Sequence, residues 1–229
     1  MTKKIIDTHP SVIIAYCKEA KKFLMNEYDS GYSKKTYRLS ANLIGGNPEP
    51  ADFGPENVLI KELSEEIDPN HPDEKKRVGK VLWADSENIR SVRNFLLREI
   101  KPFQDFYIEI GEIPDGNLPH KGIYSVFYAE IPEAAVKIVE NSTKNLESLT
   151  TEGNLRVFNY DELRFSPRKE FSTAHATAPI INYKFGLNIP YPSAVHIEAI
   201  GNPKRFYSEY LTDFEYNTEK LKKSARAQL

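Results

Sequence analysis

Only one cysteine, Cys17, occurs in the 229 residues. No intramolecular disulfide can form, which excludes a secreted domain stapled by disulfides and a C-x-x-C zinc or redox site. Long apolar runs are also missing. The longest, such as Val12 to Ala15, fall far short of the roughly 20 residues that a membrane-crossing helix needs. The opening Met1-Thr2-Lys3-Lys4-Ile5-Ile6-Asp7 has an acid where a secretory leader needs an apolar stretch. The expectation is a cytoplasmic protein, or one assembled into a particle inside the cell, with no membrane contact. Neither sign of charge dominates: 31 Lys and Arg face 33 Asp and Glu, a net charge of -2 that argues against a polybasic nucleic-acid coat. The chain has no G-x-G-x-x-G and no P-loop. Gly45-Gly46 is followed by Asn47-Pro48 and acids, which suits a tight turn better than a phosphate cradle.

What is present is the composition of a globular protein, with 40% hydrophobic and 28% charged residues. Tyr and Phe are plentiful, and the prolines fall between periodic segments. The length fits one domain, 1–229, with extended loops at 45–57 and 166–203. Thr8-His9-Pro10 reads as a helix start, followed by Ile13, Cys17, Ala20 and Leu24 at helical spacing. Residues 35–44 and 58–63 read as strands, as does the short Val81-Leu82-Trp83. Ser86 caps a helix with Ile89, Val92, Leu96 and Ile100 on one face. Phe106 to Ile110 and Ile123 to Ile131 alternate as a hairpin with a long tip. Pro132 opens another helix. Residues 155–158, 180–187 and 194–200 read as strands, and 206–229 as a helix. This order is not a strict βαβ alternation. It predicts an α+β fold, a mostly antiparallel sheet with about three packed helices and long Pro-rich loops or arms.

Several groups of residues carry chemistry. His196-Ile197-Glu198 places an imidazole and a carboxylate on one strand face, and His175 lies about twenty residues earlier. Together these are the candidate catalytic or metal-binding triad of a metal-dependent nucleic-acid-processing enzyme or RNA-binding subunit. His9-Pro10-Ser11 and His175-Ala176-Thr177 share an H-x-[ST] pattern, which can serve acid–base work on a phosphodiester. Asp105, Glu109 and Glu112 supply the acids of a metal nuclease but lack the lysine that would follow on the same strand.

The hairpin tip offers Asp115, Asn117, Leu118, His120 and Lys121 as partner-binding residues, and Phe185 and Tyr191 offer aromatic anchors. From Asn47 to Glu74 nine acids face one base, Lys61, and a basic stretch follows. Such segregation suits association of identical or different protein subunits. Lys204-Arg205-Phe206-Tyr207 is a local basic patch with aromatics that could touch nucleic acid.

No motif is specific enough to name a reaction, so the reading leans away from an enzyme. The leading expectation is a non-catalytic structural subunit of a large assembly, such as a viral or phage capsid, connector or tail protein. It requires no cofactor and no metal. The enzyme using His175, His196 and Glu198 is the alternative.

Overall fold

A computed structural model describes residues 3–67, 86–113, 119–144, 153–166 and 170–217. The expected strand at 81–83 and most of the hairpin tip lie outside these residues. The fold is α+β. Its main sheet runs in the order β4(Ala41–Asn42), β3(Lys22–Tyr28), β2(Ser11–Cys17), β7(His120–Glu130), β6(Lys101–Ile110), β9(Val195–Gly201). Two more strands extend it: β5(Ile44–Gly46) pairs with β2, and β8(Gly153–Asn159) pairs with β3. All pairings in this sheet are antiparallel except β2 with β7. A separate parallel pair joins β1(Lys4–Ile6) to β10(Phe214–Tyr216).

Strand alternation divides the core into two faces. On one face Val12, Ile14, Phe106, Ile108, Tyr124 and Val126 pack beneath α4(Tyr160–Arg164) and α5(Thr177–Phe185). On the other, Ile13, Ala15, Leu24, Phe127 and Ala129 pack beneath α1(Pro55–Glu66), α2(Ser86–Glu99) and α3(Glu133–Lys144). Further along this second face, Ile6, Ile123, Tyr107, Tyr210 and Phe214 form a smaller cluster. It lies under the strap 203–217, which carries a 3-10 turn at Tyr207–Thr212 and strand β10.

Five elements differ from expectation. Residues 35–44 are not one strand: Lys35–Tyr37 forms a 3-10 turn and Leu39 turns the chain at φ 58°, so only Ala41–Asn42 and Ile44 onward pair. The segment from Ser11 to Cys17 is a strand, because it is buried on both faces. Such a strand is a continuous apolar run whose spacing mimics a helix. Residues 55–66 form a helix, with Pro55 in its first turn, where the missing N–H costs nothing. Residues 177–185 also form a helix. Pro179 again sits in the first turn, and Gly186 ends the helix at φ 63°. Residues 206–217 fold as a 3-10 turn and a strand rather than a helix. The segment 166–203 is no free arm either: Ile180, Ile181, Ile189 and Val195 are buried in the core. Among the described residues no helix is long and apolar enough to cross a membrane.

Two glycines at positive φ separate backbone strain alone from strain combined with a clash. A Cβ on Gly186 would touch nothing, whereas a Cβ on Gly45 would lie 2.1 Å from the Ser11 carbonyl oxygen. Gly186→Ala should cost about 1–2 kcal/mol, the strain of a left-handed residue. Gly45→Ala should cost about 3 kcal/mol or more, because β5 must leave β2. Urea unfolding of the two variants checks the difference, and equal losses would contradict it.

Candidate functional site

Where β9, β6 and β7 run side by side, register lines up three rows of polar residues on the second face. The innermost row is Ser11, Ser125 and Asp105, on β2, β7 and β6. In the next, Glu198 of β9 faces Tyr107 of β6. The outermost is His196, Glu109 and Lys121, on β9, β6 and β7. The rows pass from buried to exposed along the strands.

The inner row is covered by the strap. His9 is 1% exposed and Asp105 2%. His9 lies in a box of tyrosines, edge-on to Tyr210 with ring centres 4.4 Å apart and to Tyr207 at 4.8 Å. Its Nδ1 is 2.9 Å from the Tyr216 hydroxyl and its Nε2 is 3.0 Å from Ser125 Oγ. Ser125 Oγ is 3.3 Å from the Tyr210 hydroxyl, which donates to Asp105 Oδ2 at 2.7 Å. A neutral His9 orders these bonds in one direction. Tyr216 donates to Nδ1, Nε2–H donates to Ser125, and the chain ends on the carboxyl of Asp105. Burial pushes the His9 imidazole down to about 3. Burial also pushes the Asp105 carboxyl up to about 6, partly offset by hydrogen bonds from Tyr210 and Ser125.

The outer rows line an open cleft of about 1030 Å³. Its walls include Lys4 and Asp7 beside β1, Asn217 after β10, His120 and Lys121 at the start of β7, and His196 and Glu198 on β9. The wall beside β1 is held by Asp7, which accepts from Asn217 Nδ2 at 2.9 Å and from the Lys121 amide at 3.1 Å. Lys4 pairs with Glu198 at 2.9 Å and Lys121 with Glu109 at 3.0 Å, all in partly exposed positions. The Lys121 bond, then one from the Tyr107 hydroxyl, holds the Glu109 carboxyl below its ordinary range. In turn, burial and the Glu109 contact push the Tyr107 phenol up to about 12.

The structure brings His196 and Glu198 together but not His175. His175 packs on the opposite face, its ring 4.4 Å from that of Tyr37, and burial pushes it down to about 3. A triad through the sheet cannot form, so the expected convergence is corrected. The two H-x-[ST] histidines, His9 and His175, are likewise on opposite faces. Among the described residues no three His, Cys, Asp or Glu side chains gather as a metal ion needs. Of the hairpin-tip residues, His120 and Lys121 reach the cleft, whereas Asp115, Asn117 and Leu118 lie outside the described residues. Phe185 and Tyr191 pack half-buried against the first face. Lys204 is occupied within the strap, its Nζ donating to the Glu209 carbonyl at 3.0 Å. Lys4, Asp7, Tyr107 and Asn217 were not legible as site residues. The one available signal was the lysine that Glu109 lacks on its own strand, which Lys121 supplies across the hairpin.

No known family matches the chain, and no curated protein matches it in sequence. Some solved structures are similar in fold. One is a bifunctional NMN adenylyltransferase/ADP ribose pyrophosphatase from Francisella tularensis, 14% identical, TM-score 0.40, covering 79% of this chain and 41% of that one. Another is a MutT/nudix family protein from Enterococcus faecalis, 16% identical, TM-score 0.35, covering 69% of this chain and 45% of that one. The chain therefore spans less than half the length of either protein. The likeness is to part of the chain path and gives no residue here a role. The first is named as an enzyme and the second as a MutT/nudix family protein, and neither name is that of a particle component. On this finding the expectation of a non-catalytic capsid, connector or tail subunit is corrected.

The buried pair makes a test of opposite signs. His9 is neutral when folded, so its contribution is full above its ordinary 6.5 and is lost as pH falls toward about 3. Asp105 favours its protonated form when folded, so its contribution is full below its ordinary 3.8 and is lost as pH rises through about 6. Between these limits the folded and unfolded forms each hold one proton on the pair, and the two slopes cancel. His9→Gln should therefore lose stability as pH rises from about 4 to about 6, and Asp105→Asn should lose it as pH falls over the same range. Urea midpoints at the two ends of this range, each compared with the parent protein, check the signs. Parallel slopes in the two variants would refute the pairing.

Proposed function

We propose that the chain carries an enzyme of phosphate chemistry on nucleotides or nucleic acid, acting in the cleft, with His196 as its acid–base group. The row His196–Glu109–Lys121 carries the proposal. Directly opposed residues on paired strands have Cβ atoms about 5 Å apart, so the imidazole stands beside the carboxylate. Glu109 remains ionised through the range in which an imidazole ordinarily titrates. An ionised carboxylate therefore stands beside His196 when it takes a proton.

Lys4 and Lys121 bind the anionic group. Their ion pairs are partly exposed, and such pairs contribute only about 0–1 kcal/mol. A phosphate can therefore displace Glu198 and Glu109 from the lysines at little cost. In hydrolysis, water attacks phosphorus while His196 takes its proton. The new P–O bond forms as the old one breaks, and the leaving oxygen takes a proton from solvent in the open cleft. No step is routed through a metal. A cytoplasmic setting belongs to the same proposal and is supported by the lone, buried Cys17.

Hydrolysis of bis(p-nitrophenyl) phosphate and of a panel of nucleotides and oligonucleotides tests this reading. His196→Ala should lower kcat about 10²–10⁴-fold, the usual contribution of a positioned acid–base group. Lys121→Ala should mainly raise KM, with the melting temperature of both variants close to the parent. If the parent turns over a phosphate substrate and His196→Ala turns it over equally well, the proposal is wrong.

A further inference from the structure

At the far end of β6 from the cleft, the first face of the sheet ends in a band of aromatic side chains. A β-bulge creates it: the register of β6 against β7 shifts between Pro102 and Gln104. The shift turns Phe103 onto the same face as Phe106, with ring centres 6.5 Å apart. Tyr183 of α5 meets Phe106 edge-on at 5.0 Å and is 54% exposed. Beyond them, Tyr16 and Phe185 pair at 4.6 Å, both partly buried.

Lys184 sits in the middle of this band. Its ammonium lies 4.0 Å from the Phe103 ring centre and 4.3 Å from that of Tyr128. Burial pushes it below the ordinary lysine range, and among the described residues no carboxylate pairs with it. This sets it apart from Lys4, Lys22, Lys61 and Lys121, which all hold an acid. Lys101 is exposed and stands opposite Tyr128 in the register, so a second cation flanks the rings on the same face. Tyr183 is the exposed ring of this band, and Phe103, Tyr128, Tyr16 and Phe185 support it from partly buried positions.

We propose that this band is a seat for single-stranded nucleic acid. A base stacks on the exposed face of Tyr183, and Lys184 and Lys101 take the backbone phosphates. The chemistry favours this occupant over an apolar peptide. A partly buried cation with no carboxylate partner among the described residues, set among aromatic rings, complements a ligand that alternates anionic groups with flat rings. The proposal does not depend on the reaction in the cleft, because it concerns binding alone at a separate place on the sheet.

The test is fluorescence anisotropy with a dye-labelled oligothymidylate of about ten nucleotides, within the span that one single-strand module covers. The parent should bind, and a duplex of equal length should bind at least about tenfold more weakly, since its bases are not free to stack. Tyr183→Ala should weaken binding about fivefold or more, the lower end of what one stacked base contributes. Tyr183→Phe should restore it, which separates stacking from damage to the fold. Lys184→Gln should lower the slope of log affinity against log salt by about 0.7, the value for one phosphate contact on a single strand. Lys137→Gln, on α3 at the opposite face of the sheet, should leave all of these unchanged. Absence of binding by the parent would overturn the proposal. So would equal binding of heparin with no loss in Tyr183→Ala, which would mean that charge alone holds the ligand.

Discussion

The pairing of β7 with β2 on one side and β6 on the other is the constraint from which both faces of the molecule follow. Because side chains alternate along a strand, one register decides at once which residues meet the helices and which meet the strap. Tyr124, Val126 and Tyr128 go to the face under α5. Ile123, Ser125 and Phe127 go to the other. The polar rows are a product of this register. Ser125 lies between Ser11 and Asp105, and Lys121 beside Glu109, only because three strands keep step. A slip of one residue would turn Lys121 and Ser125 toward the face under α5 and Tyr124 and Val126 toward the polar rows.

The inner row shows how a polar group is kept inside such a sheet. An isolated imidazole or carboxyl there would cost several kcal/mol, on the order of an unmade buried hydrogen bond or more. His9 avoids that cost by staying neutral, and it shares with Asp105 a chain of hydroxyls from Tyr216, Ser125 and Tyr210. Two of those hydroxyls belong to the strap. The strap therefore completes the hydrogen bonding of the sheet, and the sheet fixes the strap that borders the cleft.

Much of this was legible in the sequence, and the rest was hidden for identifiable reasons. The helices at 86–99 and 133–144 and the hairpin of β6 and β7 are amphipathic elements in local contact, so their periodicity survives folding. Ser11 to Cys17 misleads because burial on both faces erases alternation. Thr177 to Phe185 misleads because Ile180 and Ile181 resemble a strand, while the signals to trust were Pro179 and Gly186. His196 and Glu198 were legible as a pair from their spacing on one strand. The distant histidine was not, since which side of a sheet His175 takes depends on long-range packing that spacing does not encode. Lys4, Asp7 and Asn217 come from segments that meet only through tertiary structure, and their local sequence carries no mark of it.

The parallel pair of β1 and β10 brings Lys4 beside Phe214 and Asp7 into contact with Asn217, partners 210 positions apart. Closing so long a loop costs chain entropy that only the finished contacts repay. Until the strap docks, His9 and Asp105 are open to water, so the polar row and the wall of the cleft form in one step.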